Sequence, residues 1–495
     1  MSPPRLLPVA SGVDAGRGQA RATARSPGPA VPTTTLVVLC VAVMAGAGSA
    51  VYPVAAMGVA VAIVLAAVVW LRPAVAAYLV IGVTPLVVGI DRGAVLPVLR
   101  PNEALELYLG GILALRGLLR IRSGSVRLPR LSRVEWSILL LALTSSAVPL
   151  AIMMLRHREM TADDLLSSLA LWKLAGIYLI VRWSVRSGTE LRRCLSVSIG
   201  AACVVAVVGI LQGLDMLGVR HRLAGYYAPF GDAGSVLTSS RGGSTLSLPA
   251  ATADLLVMNL AVVTALWVRE RRRTGLWLAV SALLVFGTLA AGQFSSALGL
   301  LVGVLVIITV TGSLELLSVF GALALTGSVA VWPVIARRLQ DFGSASGMPE
   351  SWVGRLRNLR TYFWPHLHSY VNVLVGVRPS ARVRVPTQAT GWVWIESGYT
   401  WLIWAGGVPL LLSYLFFVYA VVTQGWRVAR SRADAAGAAA TAATVGIVVV
   451  TALMAFDPHL TYRGSADELF ALAALSAIAA RWGDGHPQPS PRSEP

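Results

Sequence analysis

The sequence predicts an all-α fold, a polytopic bundle of about 12 to 14 transmembrane helices with one large external loop that contains short helices. Three observations lead to this fold class. Of the 495 residues, 56% are hydrophobic and only 13% are charged, and the mean hydropathy is +0.70. The apolar residues form repeated long runs, which one soluble core could not bury. Short arginine-rich segments separate these runs. A lipid bilayer is the solvent that fits this pattern.

The N-terminal segment differs from the rest of the chain. Residues 1–33 are rich in Pro, Gly, Ala and Arg and lack helical periodicity, which predicts a disordered basic tail. The apolar run from Thr34 to Tyr52 is long for a signal peptide, and a second apolar run follows at once. We therefore expect the first helix to be retained in the membrane.

The transmembrane regions are expected at residues 34–334 and 397–480. A membrane-spanning helix needs about 20 mostly apolar residues, and about fourteen runs approach this length. The run around Gly111 contains charged residues and the run around Ala474 is short, so these two are the least regular. The approximate centres of the runs are Ala45, Val61, Ile81, Gly111, Leu143, Ala175, Val204, Asn259, Leu284, Leu305, Leu323, Leu411, Val448 and Ala474.

The arginines between the runs predict the topology. Short cytoplasmic loops of membrane proteins are enriched in Lys and Arg. If the N-terminus is cytoplasmic, nearly every dense basic segment falls on the cytoplasmic side, and the tail at 481–495 does too. These segments are Arg72, 116–133, 182–193, 269–273 and 427–432.

The loop at 335–396 lies on the opposite, external side in this topology. Loops of this length are usually functional or disordered. Its many aromatic residues, including Trp352, Trp364, Trp392 and Trp394, argue against disorder and predict short helices on the outer membrane surface. The loop is also rich in arginine. Two explanations stay open for these arginines: contact with anionic lipid headgroups, or an anion-binding cavity.

Four motifs follow one another between about Ile210 and Leu412. The segment RGGSTLSLP, from Arg241 to Pro249, precedes a span, and GQFSSA, from Gly292 to Ala297, opens a helix. The external loop places Arg355 near Trp364 and has a small-residue turn at Gly376. It ends on ESGYTWLIWAGG, which runs from Glu396 to Gly407 into the next span.

In this order, the motifs resemble the O-antigen ligase and O-antigen polymerase superfamily. The resemblance implies a polytopic glycosyltransferase of the bacterial cytoplasmic (inner) membrane, which uses polyprenyl-diphosphate-linked glycans at the outer face. Many ligases have a His-Asn pair where this chain has Glu396 and Ser397, and a Ser-Arg pair where it has Ser295 and Ser296. These departures favour a polymerase-like enzyme.

The chemistry of this transfer needs two kinds of group. The departing diphosphate gains negative charge in the transition state, and the acceptor hydroxyl must lose a proton. Arg241 and Arg355 are the candidates for holding the diphosphate, and Glu396 is the candidate general base, because a carboxyl beside a membrane span can have a raised pKa. A single displacement of this kind inverts the anomeric centre. We expect no metal and no other cofactor.

Several further side chains are candidates for substrate binding. Asp232 is an alternative base, although its neighbours also suit a turn. Lys173 lies inside a span, where a charge is a functional candidate but can also snorkel or pair with another helix. Glu396 itself could simply pair with a loop arginine, and Arg241 could simply anchor the loop to headgroups. The other candidates are Arg357, Arg360, Tyr399, His366 and His368.

The expected partners are the polyprenyl-diphosphate-linked glycan and the lipid bilayer, and association with other polysaccharide-assembly proteins stays open. Nucleic acid is not expected, because the net charge of +18 is spread between apolar runs. The main alternative function is a secondary transporter or a lipid-linked oligosaccharide flippase. Such proteins tend to show internal repeats and polar groups at mid-membrane. Here the polar residues concentrate in the outer loops, which favours catalysis, and a non-catalytic scaffold is a third alternative.

Overall fold

The computed structural model describes residues 53–95, 99–123, 131–227, 233–271, 273–340, 350–386 and 391–483. It confirms an all-α polytopic bundle. The predicted tails at 1–33 and 481–495 and the first run, centred on Ala45, lie outside the described residues, apart from the last helical residues 481–483. The described residues up to Leu65 and those from Ala66 onward belong to two separate units.

The described elements run in the following order. The α-helices are α1 (Pro53–Leu71), α2 (Ala74–Val87), α3 (Pro101–Arg122), α4 (Arg133–Leu155), α5 (Ala162–Ser168), α6 (Ala170–Ser184), α7 (Gly188–Gly213), α8 (Val219–Ala224), α9 (Ala233–Thr238), α10 (Pro249–Glu270), α11 (Thr274–Ala290), α12 (Phe294–Thr311), α13 (Glu315–Ala330), α14 (Trp332–Gln340), α15 (Glu350–Asn358), α16 (Tyr370–Val375), α17 (Gly398–Ser431), α18 (Ala435–Leu453) and α19 (Ser465–Gly483). The strands are β1 (Arg382–Arg384) and β2 (Trp392–Trp394), and single helical turns lie at Ser244–Leu246, Leu359–Phe363, Trp364–His368 and His459–Thr461.

All the described run centres from Val61 to Ala474 lie inside helices. Seven helical segments of the described chain are long and apolar enough to cross a membrane, or eight if the bent α13–α14 pair counts as one span. Helices α1, α2 and α11 are apolar but shorter. The two least regular runs are both helical, as α3 and α19, but charged residues interrupt their apolar character.

The centre of the second unit is formed by α10, α18 and α19. In the most apolar window of α10, 89% of the residues are buried, and the corresponding share for α18 is 83%. Other candidate spans are 44% to 50% buried, as expected for helices with one face toward lipid. Helix α18 begins AAGAAATAATVG, and such small side chains let helix backbones approach closely.

Contacts among three of the basic segments, 182–193, 269–271 and 427–432, define one end of the bundle, which we call the basic end. Arg192, at the start of α7, pairs with Glu270, at the end of α10, at 2.8 Å. Arg269 donates to the carbonyl of Arg432, after α17, at 3.3 Å. Further ion pairs at this end are Arg182–Glu135 at 3.3 Å and Arg481–Glu135 at 3.2 Å. The opposite end, which carries the long loop before α17, is the loop end.

Candidate active site at the loop end

The long loop starts three residues earlier than expected. Helix α14 bends by 80° from α13 at Val331, so the chain leaves the spanning direction at Trp332. The expectation of short helices is confirmed by α14, α15, α16 and the turns between α15 and α16. The antiparallel β1–β2 pair, in which Val383 lies opposite Val393, was not predicted.

Two glycines let the loop fold back onto α17. Gly376 has φ 85°, and an added Cβ would lie 3.0 Å from the Trp404 carbonyl oxygen, which confirms the small-residue turn. Gly407 has φ 67° and interrupts α17, and a Cβ there would lie 2.4 Å from the Leu374 carbonyl oxygen. Only glycine adopts such angles at no steric cost. The Val377 amide donates to the Trp404 carbonyl at 2.7 Å across this contact.

Two loop arginines anchor the loop to α5. The Arg378 guanidinium pairs with Asp164, which is fully buried, and its Nε donates to Asp164 Oδ1 at 2.8 Å. Arg382 pairs with Asp163 at 2.8 Å and lies 4.5 Å from the ring centre of Trp392. Arg378 and Arg382 therefore bind carboxylates of the protein itself, and these two ion pairs hold the loop against α5.

The centre of the candidate site is a cluster of three charged groups and an amide. Arg355 Nη1 donates to Asp457 Oδ2 at 2.6 Å, and Arg355 Nε lies 3.6 Å from Glu396 Oε1. Asn358, one helical turn after Arg355 on α15, donates from Nδ2 to Glu396 Oε2 at 3.2 Å. The side chain of Glu396 is therefore held from both oxygens. Arg355 and Glu396 do come together, as members of one cluster.

The electrostatics of the cluster favour proton exchange at Glu396. Burial raises the pKa of Glu396, and the nearby Asp457 carboxylate raises it further, while Arg355 and the hydrogen bond from Asn358 partly oppose this rise. For Arg355, burial alone would lower the pKa, but Asp457 and Glu396 raise it overall. Glu396 therefore titrates closer to neutrality than an ordinary glutamate. Arg355 is already shared by two carboxylates, which suits the positioning of Glu396 better than the gripping of a diphosphate.

Arg241 lies at a separate place on the loop end. Its Cγ is 3.6 Å from the position of a Cβ on Gly292, at the turn before α12. Gly242 donates its amide to the Ala290 carbonyl at 3.0 Å, which holds the Arg241 segment against the end of α11. Arg338 reaches the same turn, since its guanidinium lies 5.0 Å from the ring centre of Phe294. The Arg241 side chain and the Arg338 guanidinium thus both lie near the turn before α12, and we call these two residues the Arg241–Arg338 pair.

The two places are connected through aromatic contacts. The ring of Phe294 lies 6.4 Å from that of Trp352, which precedes Arg355 on α15. Trp352 in turn lies 5.0 Å from Phe456, beside Asp457. The Arg241–Arg338 pair and the Glu396 cluster are therefore neighbours across one aromatic layer.

The remaining candidates are placed less centrally. Arg357 and Arg360 are exposed on α15 and the turn after it, and His368 is exposed as well. His366 is exposed, and its ring lies 5.6 Å from the Trp404 ring. The Tyr399 hydroxyl donates to the Thr451 carbonyl at 2.8 Å, so it joins α17 to α18. Asp232 lies outside the described residues.

Sequence reasoning named no candidate residue in the connection between α18 and α19. It supplies Asp457 to the cluster, and two residues later the fully buried His459 binds Asp254 of α10 through Nδ1 at 2.6 Å. The ring of Tyr462 lies 4.7 Å from that of His459. An available signal was Asp254 itself, a carboxylate inside an apolar run. No pattern in the sequence pairs it with a histidine 205 positions away.

The bundle interior also holds charges. Lys173 of α6 pairs with Asp467 of α19 at 2.9 Å and lies 4.0 Å from Glu106 of α3. The pairing alternative for Lys173 is therefore the one observed. Glu468, the next residue, is buried as well. The expectation that polar residues concentrate in outer loops holds only in part, because Glu106 and Asp467 lie near the starts of α3 and α19 and Lys173 lies within α6.

The donor chemistry of the site is that of carboxylates and guanidinium groups. Among the described residues, no group of three or more His, Cys, Asp or Glu side chains could hold a metal ion. Cys194 is buried and Cys203 is half-buried, consistent with packing roles. Comparison with known protein families and with curated proteins finds no match to this chain.

Proposed function

We propose that this protein is a metal-independent, inverting glycosyltransferase that moves a glycan from polyprenyl diphosphate to a hydroxyl acceptor. The observation that carries the proposal is the half-buried Glu396, held by Arg355 and Asn358 beside Asp457 at the start of α17. A carboxyl with a raised pKa, fixed where a membrane helix begins, is suited to take a proton from an acceptor that meets a lipid-linked donor there. The resemblance of the four loop-end motifs to O-antigen polymerases and ligases supports the same class.

The reaction assigns each group a role. The acceptor hydroxyl transfers its proton to Glu396 as its oxygen bonds to the anomeric carbon. The bond from that carbon to the diphosphate oxygen breaks, and the diphosphate leaves with the electron pair. Arg241, together with Arg338, stabilises the developing charge through forked hydrogen bonds. Arg355 holds Glu396 in place, and Asp457 limits how strongly Arg355 acidifies it.

The two ends of the bundle support the location that we propose. We place the basic end in the cytoplasm, as the positive-inside pattern indicates, and the loop end at the outer face of a bacterial cytoplasmic membrane. Both termini are then cytoplasmic. Donor lipid would reach the Arg241–Arg338 pair from the bilayer, and acceptor would reach Glu396 from the aqueous side.

The test is a reconstituted reaction with purified full-length protein. A lipid-linked repeat unit supplied alone should give a ladder of longer glycans if the enzyme is polymerase-like. Product that forms only after a second acceptor is added identifies a ligase. No glycan transfer under either condition, with folded protein, would contradict the proposal.

One observation favours a second candidate, a secondary transporter or lipid-linked oligosaccharide flippase. The Glu106–Lys173–Asp467 group lies inside the bundle, and ionisable groups there often mark ion or substrate paths. Vesicles that contain the protein distinguish the candidates. A flippase moves labelled lipid-linked glycan between leaflets without changing its length, whereas the transferase releases polyprenyl diphosphate.

A further inference from the structure

Three buried polar side chains from three helices form a chain inside the bundle. The Ser198 hydroxyl of α7 lies 2.7 Å from Asn259 Oδ1 of α10 and 2.6 Å from Glu468 Oε1 of α19. All three side chains are buried, with exposed fractions of 3%, 1% and 3% respectively. These three hydrogen-bonded side chains are separate from the Glu396 cluster.

The number of protons shared by these three side chains decides which atom donates in each hydrogen bond. Both distances are typical of full O–H···O hydrogen bonds. A serine hydroxyl has one proton and can therefore donate to one oxygen only. If Glu468 were ionised, Ser198 would face two acceptors, Asn259 Oδ1 and the carboxylate, with a single proton between them. One short contact would then join two oxygens without a hydrogen.

A reversed amide does not remove this difficulty. Asn259 Nδ2 donates to the Leu255 carbonyl at 3.1 Å. Exchanging the amide nitrogen and oxygen would let Asn259 donate to Ser198, but it would place Oδ1 against the Leu255 carbonyl oxygen. That arrangement sets two acceptors against each other in a buried site, which costs about 1 to 3 kcal/mol. The orientation of Asn259 is therefore fixed by its own helix.

We propose that Glu468 is a proton-binding site of the bundle and is a neutral carboxylic acid at neutral pH. Its O–H donates to Ser198, Ser198 donates to Asn259, and Asn259 donates to the Leu255 carbonyl. Each of these three side chains then donates to one acceptor. Loss of the proton would turn the Ser198 hydroxyl toward Glu468 and leave Asn259 Oδ1 without its donor, so the protonation state is coupled to the packing of α7, α10 and α19.

The neighbouring charges support an uncharged Glu468. Asp467, beside it in sequence, is the carboxylate that binds the Lys173 ammonium, and it also accepts the Gly464 amide at 3.0 Å. Glu106 lies on the other side of Lys173 at 4.0 Å. One ammonium group thus already faces two carboxyls. A further charge on Glu468, buried beside Asp467, would have high desolvation and repulsion costs.

Adjacent residues provide a matched pair of variants. Glu468→Gln keeps the shape and donates an N–H to Ser198 in place of the acid O–H, so we expect a melting temperature close to that of the wild type. Asp467→Asn removes a real charge and leaves Lys173 with Glu106 at 4.0 Å, so we expect clear destabilisation. Ser198→Ala breaks the chain in the middle and should lower the melting temperature in both the wild-type and the Glu468→Gln backgrounds.

Infrared difference spectroscopy on the full-length protein at neutral pH detects directly whether Glu468 is protonated. Subtracting the Glu468→Gln spectrum from the wild-type spectrum should reveal a carboxylic-acid carbonyl band, and the Asp467→Asn subtraction should reveal carboxylate bands only. Carboxylate bands in the Glu468 difference would overturn the proposal. So would a Glu468→Gln protein that is destabilised as much as Asp467→Asn or that fails to fold.

Discussion

Replacing Arg355 with Gln should move the acid limb of the pH–activity profile to higher pH. A general base works only when deprotonated, so activity falls as pH drops through the pKa of Glu396. Burial raises this pKa above the ordinary value of 4.5, and Arg355 partly opposes the rise. Arg355 Nε lies 3.6 Å from the carboxylate. A pair at about 4 Å contributes about 1 kcal/mol in water and about 4 kcal/mol at an effective dielectric constant of 20.

The side chain of Glu396 is 30% exposed, so the true value lies between these limits. Because about 1.4 kcal/mol corresponds to one pH unit, the limb should rise by about 1 to 2 units. Asp457→Asn should shift the limb in the opposite direction. It removes a negative charge near Glu396, and Arg355 then pairs with Glu396 alone. The assay is the initial rate of glycan transfer across the acidic and neutral range.

Arg357→Gln is the matched control, because Arg357 lies on the same helix but is exposed. It should leave the limb in place. An acid limb that is the same in the wild type and the Arg355 and Asp457 variants, or that moves the same way in both variants, would refute the assignment of Glu396 as the titrating base.

Three further predictions concern the loop, the metal and the topology. Asp164→Asn should lower the free energy of unfolding by about 1 to 3 kcal/mol and expose the loop to proteases, because Asp164 is fully buried while its partner Arg378 is 32% exposed. Unchanged melting and proteolysis would show that this ion pair does not anchor the loop. Turnover should persist in chelator, because guanidinium groups supply the positive charge at the diphosphate, and loss of activity restored by magnesium or manganese would contradict this role. A reporter fused after Arg273 should be cytoplasmic and one inserted at Gly347 external, and a cytoplasmic signal from Gly347 would reverse the proposed sidedness.

The helices could be predicted well from the sequence because each one depends on a single continuous run of residues. A run of apolar residues must form its backbone hydrogen bonds internally in lipid, so a run such as that around Val204 leaves the chain few alternatives to a helix. The starts of α10, α12 and α17 were also predictable, because RGGSTLSLP, GQFSSA and ESGYTWLIWAGG combine small or polar residues with the beginning of an apolar run.

Contacts between distant segments were not predictable in the same way. Lys173 and Asp467 are 294 positions apart, and their pairing depends on how α6 packs against α19. Asp457 pairs with Arg355 because the α18–α19 connection contacts α15. The β1–β2 pair was hidden as well, since its three-residue strands carry arginines and tryptophans that also suit an interfacial helix. Such features depend on long-range packing, which a local pattern does not encode.

The most direct test of the central claim compares Glu396→Gln with the wild type in a single turnover with lipid-linked donor and acceptor. Gln keeps the shape and can still contact Arg355 and Asn358, but it cannot accept the proton. The account predicts normal folding and donor binding, with a transfer rate that falls roughly 100-fold to 10,000-fold. Transfer by Glu396→Gln at the wild-type rate, with equal amounts of folded protein, would contradict it.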